Sequence, residues 1–173
     1  MGWIRTWLGH KIDPFRPDPD AIDIKDIAHS LSLQCRWTGH VDFFFSVAQH
    51  SLLVAEILPE ELKLEGLLHD AAEVYMSDIP KPIKPNMGNY EEAEDRLLEV
   101  IFKKFNLEWP IPDKIWKADK ISLSTEKSQL FSYDGPEWGH DLPDPHPIIL
   151  TENSPKIIEI DFLHMFKIYG GKS

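Results

Sequence analysis

The sequence is short of positive charge, of cysteine and of long apolar runs, and each shortage removes a class of function. Of 173 residues, 18 are Lys or Arg and 29 are Asp or Glu, a formal net charge of −11. Binding along a nucleic-acid backbone or at an anionic membrane surface draws on surplus cations. Neither a nucleic-acid polymer nor a membrane is therefore an expected partner. The single cysteine, Cys35, excludes an intramolecular disulfide. No stretch approaches the roughly 18 apolar residues of a membrane span, and the opening MGWIRTWLGH lacks a long apolar signal segment. A reducing cytoplasm is the expected location. What the chain does have is eight histidines, the side chain that titrates near neutrality and most often binds metals.

Residues 1–173 read as one all-α domain, a helical bundle preceded by an irregular or hairpin-like arm with Pro14, Pro17 and Pro19. Asp23 is placed to cap a first helix carrying Ile24, Ile27, Ala28, Leu31 and Cys35 on one stripe. Ser46 is placed to cap a second, with Val47, Leu53, Val54 and Ile57 inward. A third is expected to run unbroken through PEELKLEGLLHDAAEVYM, apolar over a wide arc and hence central. Three prolines keep SDIPKPIKP out of a helix. A fourth helix follows Asn89, a fifth runs from near Pro112 to about Phe131, and IIEIDFLHMFKIY closes the chain as a terminal helix after loop-like residues 134–155.

The chemistry gathers on these helices. His69, Asp70 and Glu73 lie in HDAAE, with His69 and Glu73 four apart and so on one face of an unbroken helix. A buried His–Asp hydrogen bond or a solvated stripe would account for that pair alone, since a carboxylate in an apolar helix needs positive charge nearby. His50 in VAQHS and Asp119 in KADKIS, both on inward faces, add a second imidazole and a second carboxylate. Four such ligands on facing helices suit a divalent transition ion, with coordination positions left for water. Arg36 is a candidate phosphate clamp and Trp37 a packing plane for a sugar or base, or else a core aromatic. Lys81 and Lys84, in PKPIK, offer point charges to phosphate or stand as ordinary exposed lysines. Glu126, seven residues past Asp119, is open to two readings, support of a ligand or contact with a purine. His40 is equally open, between the site and the closing of its loop. His29 and His164 read as core or helix-face residues; His10, His140 and His146 lie in polar, proline-rich surroundings and read as solvated.

The ordered set VAQHS … LLHDAAEVYMSDIPKPIK … KADK resembles the HD-domain phosphohydrolases, over roughly residues 20–130. Within them it is similar to bacterial 5′-deoxynucleotidases and to a phage group that includes dATP triphosphohydrolases, which CRWTGH and the N-terminal arm match more closely. The resemblance implies that His50, His69, Asp70 and Asp119 ligate one divalent ion (Zn, Co or Mn, with Mg accompanying a triphosphate). It implies that Glu73 serves as acid/base or water-orienting group and that Asp78 belongs to the catalytic set, although an Asx turn ahead of Pro80 also explains that aspartate. It further implies that Arg36 meets phosphate and that Trp37 crowds the sugar C2′ position, selecting deoxyribonucleotides. The expected reaction is hydrolysis of dATP or another dNTP to deoxynucleoside and triphosphate. The alternatives are a 5′-deoxynucleotidase acting on dNMP and a nucleotide-binding module without turnover. The resemblance also implies a homo-oligomer, and host cytoplasm if the chain is phage-encoded.

Overall fold

The computed structural model describes residues 2–133, 135 and 142–172. His140 and most of the segment around it lie outside the described residues. A two-stranded antiparallel hairpin, β1 (Ile4–Arg5) and β2 (Lys11–Ile12), forms the N-terminal arm. It leads into α1 (Ile24–Leu33), α2 (Val47–Ile57), α3 (Lys63–Leu68), α4 (Glu73–Met76), α5 (Tyr90–Lys104), α6 (Asp113–Gln129) and α7 (Pro155–Ile168). The all-α expectation thus holds as a helical bundle. Among the described residues, no helix is long and apolar enough to cross a membrane.

The helix starts follow local chemistry. The Asp23 side chain accepts from the Lys25 amide, and Ser46 forms a reciprocal capping box with Gln49. Ser154 caps α7 through the Ile157 amide, with Pro155 at the first position, where its missing N–H costs nothing. α1 stops at Leu33, so Cys35 leaves the helical stripe and instead pairs with Ser46 in an isolated antiparallel bridge. Proline keeps SDIPKPIKP out of the α-helix, apart from a single 3-10 turn at Lys84–Asn86.

Two expectations are corrected. The centre of the bundle is α2, which packs against α1, α3, α6 and α7. Its Val47, Ala48, Gln49, His50, Ser51, Leu53, Val54 and Ala55 are all buried, because small and apolar residues surround its axis. The segment after Pro59 is also not one helix. A 3-10 turn at Glu60–Leu62 precedes α3, and residues 69–72 tighten into turns before α4. There the amides of Ala71, Glu73, Val74 and Tyr75 bond back three residues, not four. That pitch brings Glu73 beneath Asp70 and takes it off the face of His69. His10 and His146 are half-buried in place of the solvated positions expected, while Trp3 and Trp7 on the arm are 55% and 56% exposed.

Gly66 lets α3 approach α2. A Cβ there would come within 2.3 Å of Leu58 Cδ1 and 3.4 Å of Ala55 Cα. Gly66→Ala is expected to cost about 1–2 kcal/mol through overpacking, read as a Tm lower by roughly 2–8 °C. An unchanged melting curve would remove the close approach as a constraint.

Candidate metal centre

Three elements deliver the site: α2 brings His50, the turn after α3 brings His69 and Asp70, and α6 brings Asp119. The Nε2 atoms of His50 and His69 face each other at 3.3 Å. Asp70 Oδ2 lies 3.3 Å from both, and Asp119 Oδ1 lies 3.2 Å from His50 Nε2. His50, His69 and Asp119 each offer a ligand atom within 4.8 Å of the others, and that trio could hold a metal ion.

The far side of each ring explains why. His69 Nδ1 is 2.8 Å from the Gly66 carbonyl, which can only accept. His50 Nδ1 is 2.6 Å from Glu126 Oε1, a second acceptor-only partner. Both Nδ1 atoms therefore carry the proton, and both neutral rings turn a lone pair on Nε2 toward the same point. Two lone pairs and two carboxylates converging without a donor among them repel one another unless a cation sits there. In metal-free protein a proton does. Burial and the Arg36 charge push the His50 pKa down, but Glu126, Asp119 and Asp70 outweigh them and raise it well above the ordinary imidazole value. Burial would raise Asp70, yet the charges of His69, His50 and Arg36 drive it far below the usual carboxylate range. Asp119 is lowered by His50 and His69 against the same burial.

Glu126 is the junction of the site. One oxygen takes His50 Nδ1 and, at 3.2 Å, the Ser122 hydroxyl. The other accepts from Trp37 Nε1 at 2.8 Å and from Arg36 Nε at 3.3 Å. Burial alone would raise this carboxyl, but Arg36 and His50 bring it down to about 2. Glu126 thus contacts His50, one of the candidate ligands, directly. Arg36 also reaches Asp78 Oδ2 at 3.4 Å, so two of its five N–H groups are committed. Trp37 and Thr38 adopt left-handed backbone with φ of 57° and 52°, at a cost of about 1–2 kcal/mol per residue. The Glu126 bond and an edge contact with Phe131 at 5.1 Å hold Trp37 there.

Glu73 is buried, and its Oε2 has no hydrogen-bond partner. Burial and then the charges of Asp70 and Asp78 raise its pKa well above the ordinary value, which favours the protonated form. Burial raises Asp78 as well, Arg36 offsetting part of it. Lys84 is brought toward this group, while Lys81 is exposed on the proline-rich turn. His40 is exposed, at the lip of a recess lined by Val41, Asp42, Phe131 and Tyr133. His29 bonds Glu159 at 3.1 Å and stacks on Trp7, away from the metal ligands.

Gln34 escaped sequence reasoning. Its amide donates to the Glu73 carbonyl at 3.1 Å, and its side-chain oxygen accepts from the Asp78 amide at 3.3 Å. It thereby grips both ends of α4, the helix between the two acids. Nothing in its position after α1 marks it, because its partners are backbone atoms about 40 residues away.

Two relatives match most of the chain. The uncharacterized protein YfdR of Escherichia coli (strain K12) is 39% identical over 138 residues, 80% of this chain and 78% of its own length. The uncharacterized protein RCAP_rcc00048 of Rhodobacter capsulatus is 34% identical over 162 residues, 86% of this chain and 83% of its own. No protein-family model matches.

Co²⁺ titrated into the protein is expected to release about one proton near pH 7, because the ion displaces the one on His50. Affinity then falls as pH falls. At a hundredfold excess over Kd the ion stabilises the fold by about 2.7 kcal/mol, a Tm rise of roughly 5–11 °C. Asp119→Ala should lose both effects. Calorimetry in buffers of different ionisation enthalpy reads the proton, and pH-independent binding would sink the assignment.

Proposed function

The chain belongs to one family with YfdR of Escherichia coli, and on that footing we propose that it is an HD-domain phosphohydrolase of deoxynucleotides. In this reading it cleaves dATP or another dNTP at the α-phosphate, releasing deoxynucleoside and triphosphate. The observation that carries the reading is the convergence of two imidazole nitrogens with Asp70 and Asp119 near the buried, unpartnered carboxyl oxygen of Glu73.

His50, His69, Asp70 and Asp119 would hold a divalent ion. Zn, Co and Mn suit such a mixture of nitrogen and oxygen ligands. When bound, that ion supplies Lewis acidity, polarising a phosphoryl oxygen and lowering the pKa of water. The chain's own residues do the rest. Arg36 has three N–H groups beyond those given to Glu126 and Asp78, enough to orient the α-phosphate. Glu73 holds its proton for the departing 5′ oxygen: water forms the new bond to the α-phosphorus, the bond to O5′ breaks, the Glu73 proton neutralises O5′, and the proton shed by the attacking water restores the Glu73 carboxyl. Trp37, pinned by Glu126, presents a fixed plane to the sugar, where it would crowd a 2′-hydroxyl.

A second reading has its own support. Lys84 shares its charge with Glu94 at 2.7 Å, which leaves it enough donors for one phosphate, and Lys81 is exposed. Little free positive charge is left for the β- and γ-phosphates, which favours dNMP as substrate unless Mg accompanies a triphosphate. Both readings break the same bond.

Metal-loaded protein incubated with each dNTP and dNMP, with products resolved by chromatography, separates them. Triphosphate release supports the first reading and phosphate from dNMP alone the second. No turnover with Mn, Co or Zn overturns both in favour of a nucleotide-binding module. Glu73→Gln should retain Co²⁺ binding yet lower kcat by about 10²–10⁴-fold. With Glu73 as the acid, activity is full below its raised pKa and declines as pH rises through it. The Gln variant should lack that alkaline limb, and near-normal turnover would remove Glu73 from the chemistry.

A further inference from the structure

α5 carries none of the ligands or acids above, yet one of its side chains reaches the lysine nearest to them. Glu94 Oε2 pairs with Lys84 Nζ at 2.7 Å, with both side chains less than one-fifth exposed. The ammonium lies over the Tyr90 ring, 5.9 Å from its centre. The Tyr90 hydroxyl bonds the carbonyls of Met76 and Ser77, the residues just before Asp78. Lys84 is therefore fastened from α5 beside the stretch of chain that leads from α4 into Asp78.

An ammonium on a flexible stem beside so many carboxylates has a competing destination. Without a fixed partner it would swing onto Asp70, Glu73 or Asp78 and take lone pairs that the metal and the chemistry need. The Glu94–Lys84 pair uses one of three ammonium N–H groups, leaving two for an incoming phosphate oxygen. Glu94 Oε1 is buried and has no hydrogen-bond partner among the described residues.

We propose that Glu94 is a positioning residue that holds Lys84 off the metal-ligating carboxylates and presents its ammonium to the substrate phosphate. The inference rests on the reading of His50, His69, Asp70 and Asp119 as a metal site.

Calorimetric titration of Co²⁺ into the full chain and its variants tests it without recourse to turnover. Glu94→Gln should weaken Co²⁺ binding by about tenfold, the scale on which groups that orient metal ligands act. Adding Lys84→Met to Glu94→Gln should restore affinity to within about threefold of wild type, because the competing ammonium is gone. A merely structural role for Glu94 predicts no rescue. Lys84→Met alone should leave Co²⁺ affinity near wild type while raising KM for the nucleotide more than it lowers kcat. Should Glu94→Gln fail to fold, Glu94→Asp, which keeps the charge one methylene short, should show a partial loss that Lys84→Met reverses. Wild-type affinity in Glu94→Gln, or an unrescued double variant, overturns the inference and leaves the metal reading intact. Absence of Co²⁺ binding by the wild type overturns the metal reading itself.

Discussion

The buried carboxylate of Glu126 is the constraint on which the site depends. Its four bonds fix the tautomer of His50, hold the indole of Trp37 in a costly backbone conformation and neutralise Arg36. A carboxylate brought down to about 2 is charged at any physiological pH, so none of these contacts loosens when neighbouring groups titrate. His50 and the turn that carries Arg36 and Trp37 thereby share one anchor, and α6 is the element that supplies it. Arg36 and the two imidazoles can occupy the same small region because the acids between them cancel most of the repulsion.

Much of this was legible in the sequence, for identifiable reasons. Ser46 and Asp23 announced helix starts because capping is a local interaction. The apolar stripes of α5 and α6 were plain because their periodicity persists over several turns. His50, His69, Asp70 and Asp119 could be paired because imidazoles and carboxylates on inward faces have few other uses. The break at residues 69–72 was not legible, since HDAAE is good helical sequence and only tertiary packing tightens it. Glu94 and Gln34 were hidden for another reason. Their partners are a lysine on a turn and two backbone groups, and neither relation leaves a periodic trace.

The net charge of −11 also takes on a different meaning. Read as a total, it argues against anionic partners. Read residue by residue, little of the surplus lies at the site, where Asp70, Asp78, Asp119 and Glu126 face Arg36, Lys84 and two histidines; most of it is carried elsewhere on the chain. The charge at the site is offset within a few ångströms by the arginine and imidazoles among the acids.

The tightened turn between α3 and α4 sets a length. A 3-10 turn climbs about 2 Å per residue, so the three steps from Asp70 to Glu73 span roughly 6 Å along the backbone. An in-line displacement at phosphorus has two ends, one where oxygen arrives and one where oxygen departs. The acid stripped of its proton and the acid that keeps one are spaced along a single rigid stretch of chain. In the proposed hydrolysis, backbone pitch and not side-chain flexibility would be the ruler between those two ends.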